Sequence, residues 1–150
     1  MKKFFIPVIL LISLLSGCGS SNDSSNSTPS NDEMPKMYVD VAGKSHKSTQ
    51  GSYCWKASNQ AGCADASGNP FDYIEYAPPI QVKKGDSITL KFSAEPNSIT
   101  VDLHNEDNSV EAIGDSPLSA PKEAGLYGYS VFTKWKQGDI QFFFVMDVQK

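Results

Sequence analysis

The stretch Ser87–His104, SITLKFSAEPNSITVDLH, alternates apolar and polar residues in two runs on either side of Glu95-Pro96-Asn97. Successive side chains of a strand point to opposite faces, so the pattern predicts two half-buried strands. The Pro and Asn between them favour a turn, which predicts that the two strands pair as a hairpin. The residues expected to face the core are Ile88, Leu90, Phe92, Ile99, Val101 and Leu103.

The same period of two continues towards the C-terminus, in Leu126–Thr133 and Ile140–Val148. Short alternating strands between turn signals favour an all-β fold, a single β-sandwich domain, over helical or mixed folds. The last run also carries Phe143 and Val145 on its other face. A strand that is apolar on both faces is either covered on both sides or forms an interaction surface.

The N-terminus has the order of a secretory signal. Lys2 and Lys3 precede the apolar run Phe4–Leu15, and small residues follow at Ser16 and Gly17. The apolar run is shorter than the roughly 20 residues that a membrane-spanning helix needs. Residues 1–17 are therefore predicted to be a signal peptide that is removed from the mature protein.

The motif Leu15-Ser16-Gly17-Cys18 resembles the lipobox of bacterial lipoproteins. The resemblance implies that the Cys18 thiol is joined to diacylglycerol and that the chain is cut before it. Two acyl chains on one residue are enough for stable anchoring. The resemblance thus predicts a protein held on the cell membrane by lipid and facing its extracytoplasmic side.

The stretch that follows, residues 18–36, is composed mainly of Ser, Asn, Asp, Thr and Pro. It offers too little apolar surface to offset the entropy cost of ordering, so a disordered tether is predicted, with the folded domain at residues 37–150. Without the signal peptide, 11 basic residues face 17 acidic ones, a net charge of −6. The chain contains no Arg, the residue best suited to phosphates and base edges, so no nucleic-acid partner is expected.

Cys54 and Cys63 are the two cysteines left after lipidation. In an exported protein such a pair predicts a disulfide, here closing a short loop. A metal site is the alternative, but the sequence lacks CxxC, and His46 and His104 are not at ligand spacing from either cysteine. No metal and no cofactor are predicted.

Aromatic residues flank this disulfide in the sequence. Trp55 either packs against the disulfide or joins Tyr73 and Tyr76 in an exposed platform for a sugar or a protein. Trp135 lies next to the expected turn of the last hairpin, and it either closes the core or contacts a partner. These four residues are the candidate binding residues.

Signals of catalysis are weak. His104 precedes the acidic segment 105–108, but that segment lacks the spacing of an EF-hand. Neither histidine accompanies a GxSxG motif, and a hydrolase would need His104 gathered with carboxylates such as Glu106 and Asp107. A non-enzymatic protein is predicted.

Three segments, Val82–Leu90, Leu103–Asn105 and Gly125–Val131, resemble the strand signatures of cupredoxin-like and immunoglobulin-like sandwiches. His104 would match the first copper histidine of a cupredoxin, but the copper-binding cysteine and the second histidine are missing, which excludes a blue-copper site. Tyr127 resembles the tyrosine corner of immunoglobulin-like domains, where the phenol bonds to the backbone a few residues upstream.

Two further resemblances concern function. The segments Gly51–Trp55, Cys63–Asp65 and Pro78–Ile80 resemble small exported domains of unknown function in Gram-positive bacteria. Tyr129 and the segment Trp135–Asp139 resemble lipoprotein inhibitors of lysozyme. The leading hypothesis is a cell-surface binding module for a protein or cell-wall partner, and the alternative is an inhibitor of an extracellular hydrolase.

Overall fold

The computed structural model describes residues 33–114 and 117–150. The predicted signal peptide, Cys18 and most of the predicted tether lie outside these ranges. Within them, the chain forms strands and one short 3₁₀ helix, and no helix is long and apolar enough to cross a membrane. The strands are β1 (Met37–Val41), β2 (Lys44–Lys47), β3 (Thr49–Lys56), β4 (Ala61–Ala64), β5 (Ile80–Val82), β6 (Ser87–Phe92), β7 (Ser98–Asn105), β8 (Val110–Ala112), β9 (Leu118–Ser119), β10 (Gly125–Trp135) and β11 (Gly138–Val148), with the 3₁₀ helix at Pro70–Tyr73.

These strands make two sheets that pack face to face. The smaller sheet has the order β2-β1-β6-β9, and the larger has the order β4-β3-β11-β10-β7-β8, with β5 also paired to β11. Neighbouring strands are antiparallel except for β5, which runs parallel to β11. The predicted all-β sandwich is confirmed.

The predicted hairpin between Ser87–Ser93 and Ser98–His104 is wrong. Strand β6 pairs with β1 in the smaller sheet, whereas β7 pairs with β10 in the larger one. The intervening loop crosses between sheets, and its backbone bonds to other elements, as when Asn97 N donates to Lys134 O at 2.7 Å. Alternation determines which face of a strand is buried but does not determine its pairing partner.

The inward faces of both strands are as predicted. Ile88 and Val101 are fully buried, and the other four predicted residues pack against the core at partial exposure. The core lies between the sheets and is densest along the hairpin β10–β11, where Tyr129 stacks on Phe144 with ring centroids 4.5 Å apart. Met34 also packs against this core, so ordered contacts begin slightly before residue 37.

One end of the larger sheet's outer face is covered by the 3₁₀ helix Pro70–Tyr73, which we call the cover. Phe143 and Val145 point away from the core, yet both are buried. The ring of Tyr73 stacks on Phe143 with centroids 5.0 Å apart, and Pro70 lies over Gly128. Of the two predicted explanations for the doubly apolar last strand, cover by another segment is therefore confirmed.

Two local predictions are also confirmed. Cys54 and Cys63 form a disulfide, and they lie directly opposite each other on the antiparallel strands β3 and β4. The phenol of Tyr127 donates to the carbonyl of Glu123 at 3.3 Å, the bond expected of a tyrosine corner.

Candidate functional site

The structure separates the aromatic residues of the predicted platform. Trp55 is 7% exposed and belongs to the core between the sheets, whereas Tyr73 lies on the outer face of the larger sheet. Tyr76 is 82% exposed. A platform built from all three residues is therefore wrong, because the alternation along β3 directs Trp55 inward.

Trp135 closes the core rather than projecting from the surface. Its indole meets Trp55 edge to face with centroids 5.8 Å apart and contacts Phe92 at 6.2 Å. Its Nε1 donates to the carbonyl of Ala94 at 3.1 Å, which ties β10 to the loop that crosses between the sheets. Of the residues that resemble lysozyme inhibitors, Tyr129 is fully buried, so it presents nothing to a partner.

The uncovered end of the outer face forms a groove across four strands, β3, β11, β10 and β7. It encloses about 360 Å³, within the range of small-ligand sites, about 300–1,000 Å³. We call it the sheet groove, defined by the outward-facing residues Ser52, Cys54, Asp65, Ser98, Thr100, Phe132, Lys134, Asp139 and Gln141.

Two adjacent rows of cross-strand neighbours make the floor of the sheet groove. In the first row, Phe132 of β10 lies opposite Gln141 of β11 and Thr100 of β7. In the second, Lys134 lies opposite Asp139 and Ser98. Directly opposed residues in antiparallel strands have β-carbons about 4.5–5.5 Å apart, so each row presents its side chains as one contiguous surface.

Phe132 is the apolar centre of this surface. Phe132 is 43% exposed, although its outward-facing neighbours on β10, Ser130 and Lys134, are polar. An exposed aromatic ring held by a central strand is costly to solvate and is preorganised for contact with a ligand.

Four polar side chains around the ring have no partner in the described part of the chain. Within residues 33–114 and 117–150, no hydrogen bond or ion pair engages the side chains of Thr100, Lys134, Asp139 or Gln141. This holds even for Lys134 and Asp139, which lie directly opposite each other on β10 and β11. Ser52 differs, because its hydroxyl accepts a hydrogen bond from Ala66 N at 3.0 Å. The sheet groove therefore displays free donors and acceptors of both charge signs beside one aromatic ring.

A second constellation, not foreseen from the sequence, lies under the covered end of the same face. The Ser130 hydroxyl is 2.8 Å from Nε2 of His104. Partial burial lowers the pKa of His104, and the charge of Asp102 opposes that shift. His104 also lines a small pocket of about 260 Å³ with Asn69 and Phe71.

This Ser–His pair is not arranged for nucleophilic catalysis. Ser130 is completely buried, so its hydroxyl has no access to a substrate. Of the carboxylates expected to join His104, Asp107 is engaged elsewhere, because it accepts hydrogen bonds from the backbone N–H and the hydroxyl of Ser109, which lower its pKa. The pair instead fastens β7 to β10 beneath the cover.

Sequence reasoning missed the sheet groove, although one signal was present. Phe132 lies between the polar residues Ser130 and Lys134 on the outward face of β10. A single exposed apolar residue is common on protein surfaces, so its importance here depends on the unpartnered polar side chains beside it. In the described ranges, no three His, Cys, Asp or Glu side chains gather as metal ligands would. No protein-family model matches the chain, and neither a curated protein nor a solved structure does.

Proposed function

We propose that this protein is a lipid-anchored binding module at the extracytoplasmic face of the cell membrane, held by diacylglycerol on Cys18. Its binding surface is the sheet groove. The observation that carries the proposal is the exposed Phe132 beside four polar side chains, those of Thr100, Lys134, Asp139 and Gln141, that have no intramolecular partner in the described part of the chain.

The disulfide supports an extracytoplasmic location. The bond between Cys54 and Cys63 joins two exposed strand residues, where thiol reductants of the cytosol would reach it. Such bonds persist in exported proteins, which agrees with the lipobox-like segment Leu15-Ser16-Gly17-Cys18.

The rigidity of the sheet groove supports a binding role. The sheet groove is built on central strands whose backbone pairing fixes the positions of the side chains, and a fixed surface loses little entropy on binding. The one serine–histidine pair in the described residues is buried under the cover, away from this surface.

Two experiments test the proposal with the full-length protein. For the anchor, cells are labelled with a clickable fatty acid, and label is expected on the wild type and not on Cys18→Ala. Equal labelling of both would contradict the anchor.

For the binding surface, the full-length protein in detergent micelles is immobilised and exposed to envelope material. The amount of envelope material retained is expected to fall at least tenfold with Phe132→Ala. It is expected to stay unchanged with Tyr76→Ala, because Tyr76 is an exposed aromatic residue outside the sheet groove. Equal retention by all three proteins would contradict the assignment of the surface.

A further inference from the structure

We infer that the ligand of the sheet groove is a short, uncharged saccharide of the cell envelope. The inference rests on the proposed function and names the ligand class of the same surface. It follows from the side-chain hydrogen-bonding groups that the sheet groove leaves free, and from its lack of a positively charged surface.

The floor of the sheet groove offers no backbone groups to a ligand on β3, β11 and β10. Three of its four strands are paired on both sides along the sheet groove, since β3, β11 and β10 each lie between two neighbours. Strand β7 is the exception, because β8 pairs with it only at Asp102–His104 and not at Ser98 and Thr100. An extended peptide that binds by strand addition needs the unpaired groups of a sheet edge. Around Phe132, on the central strands β10 and β11, recognition must therefore come from side chains.

Those side chains suit a ligand with one apolar face and a rim of hydroxyl groups. The ring of Phe132 can stack against the C–H face of a pyranose, while neighbouring side chains meet its hydroxyls. Thr100 both donates and accepts hydrogen bonds, Gln141 does the same through its amide, and Asp139 accepts two. An apolar peptide would instead need several exposed apolar residues, whereas Phe132 is the one large apolar side chain exposed among the described residues of the floor.

Charge disfavours an anionic ligand. The sheet groove holds two carboxylates, Asp65 and Asp139, against the single ammonium of Lys134. The mature chain as a whole carries a net charge of −6. A phosphate-rich polymer would be repelled both by the carboxylates of the sheet groove and by the net negative charge of the chain. A neutral or N-acetylated sugar would meet no such electrostatic repulsion.

Size limits the ligand to a few sugar units. The four strands span three interstrand spacings, or about 14 Å. Within that width, the volume of about 360 Å³ is close to the lower limit of small-ligand sites. The sheet groove is thus matched to a short stretch of a glycan.

The test measures binding of two materials from the same envelopes: wall polysaccharide freed of protein by exhaustive protease digestion, and the envelope protein fraction. The full-length protein in micelles is compared with Phe132→Ala, Phe132→Trp and Tyr76→Ala. We expect the polysaccharide to be bound, binding to fall at least tenfold in Phe132→Ala, and binding to persist in Phe132→Trp and Tyr76→Ala. Calorimetric titration with three tetrasaccharides then ranks them by affinity: the tetramer of N-acetylglucosamine, cellotetraose and maltotetraose.

The outcomes separate the two proposals. If the protein fraction alone is retained, and is lost in Phe132→Ala, the saccharide is wrong while the binding surface stands. If neither fraction is retained, or if both are retained equally by wild type and Phe132→Ala, both proposals fail. Gln141→Ala, which leaves the ring in place, gives a second variant whose weaker saccharide binding is expected if the hydroxyl contacts are real.

Discussion

Gly51 lies directly beneath the ring of Phe143, so close that a β-carbon at position 51 would overlap the ring. Phe143 cannot move aside, because it is 1% exposed and Tyr73 stacks on its other side with ring planes 15° apart. The glycine, the phenylalanine and the tyrosine form one stack that fastens the cover to the sheet. This stack separates the covered end of the outer face from the sheet groove.

Gly51→Ala is therefore expected to destabilise the fold. Overpacking a filled site costs about 1–3 kcal/mol, and the free energy of unfolding from urea titration should fall by that amount. Gly62→Ala is the matched control, since a β-carbon there meets nothing within 4 Å. Equal unfolding midpoints for the two variants would show that the stack is looser than described.

Removal of the disulfide is expected to cost about 2–3 kcal/mol, the entropic value for a loop closed across nine residues. All four residues of β4 are exposed, so little packing replaces the crosslink. The measurement is urea unfolding of the double variant Cys54→Ala, Cys63→Ala against wild type. Dithiothreitol should lower the stability of the wild type and leave the variant unchanged, and an unchanged wild type would count against the prediction.

The two tryptophans should respond differently to the same substitution. Trp135→Phe removes the hydrogen bond to Ala94 O, with an expected net loss of about 1 kcal/mol beyond the loss of packing. In the described structure, Trp55 Nε1 is buried without an acceptor, so Trp55→Phe removes a polar group that gains nothing from folding. Thermal unfolding should show the larger loss for Trp135→Phe, and the reverse order would contradict the assigned bonds.

His104 is expected to make the fold sensitive to acid. Its pKa is lowered in the folded state, mainly by burial, so the unfolded chain binds this proton more readily. Stability is unaffected above the unfolded pKa of about 6.5 and falls as the pH drops below it. NMR titration of the imidazole should give a value below that of the unfolded chain.

Two variants probe the causes of that shift. Asp102→Asn removes the charge that raises the pKa of His104 and should lower the pKa further. Phe71→Ala opens the pocket beside the imidazole and should raise the pKa towards its ordinary value. A shift in the opposite direction in either variant would show that another group controls the titration.

The sequence predicted much of the fold because burial on strands follows a period of two. The alternation identified the inward residues of β6 and β7, and the paired cysteines identified the disulfide. The pairing of β6 and β7 was missed because a loop of five residues can either turn a hairpin or cross between sheets. That choice depends on contacts with β1 and β10, which are distant in sequence.

The candidate site was harder to predict because it arises from registration between strands. Phe132 and Gln141 are nine residues apart, and they become neighbours only through the pairing of β10 with β11. Trp55 was a candidate binding residue because it is a tryptophan beside a cysteine, although its position on β3 directs its side chain to the core. Residue type alone could not show that Trp55 is buried and Phe132 exposed. Their positions in the alternation of inward and outward residues along β3 and β10 do show it.

Photo-cross-linking in intact cells tests the binding surface most directly. The full-length protein is made with Phe132→p-benzoylphenylalanine and, as the control, with Tyr76→p-benzoylphenylalanine, and cells are irradiated before the envelope is fractionated. Envelope-derived adducts are expected at position 132 and none at position 76. Adducts at position 76 with none at position 132 would contradict the sheet groove as the binding surface.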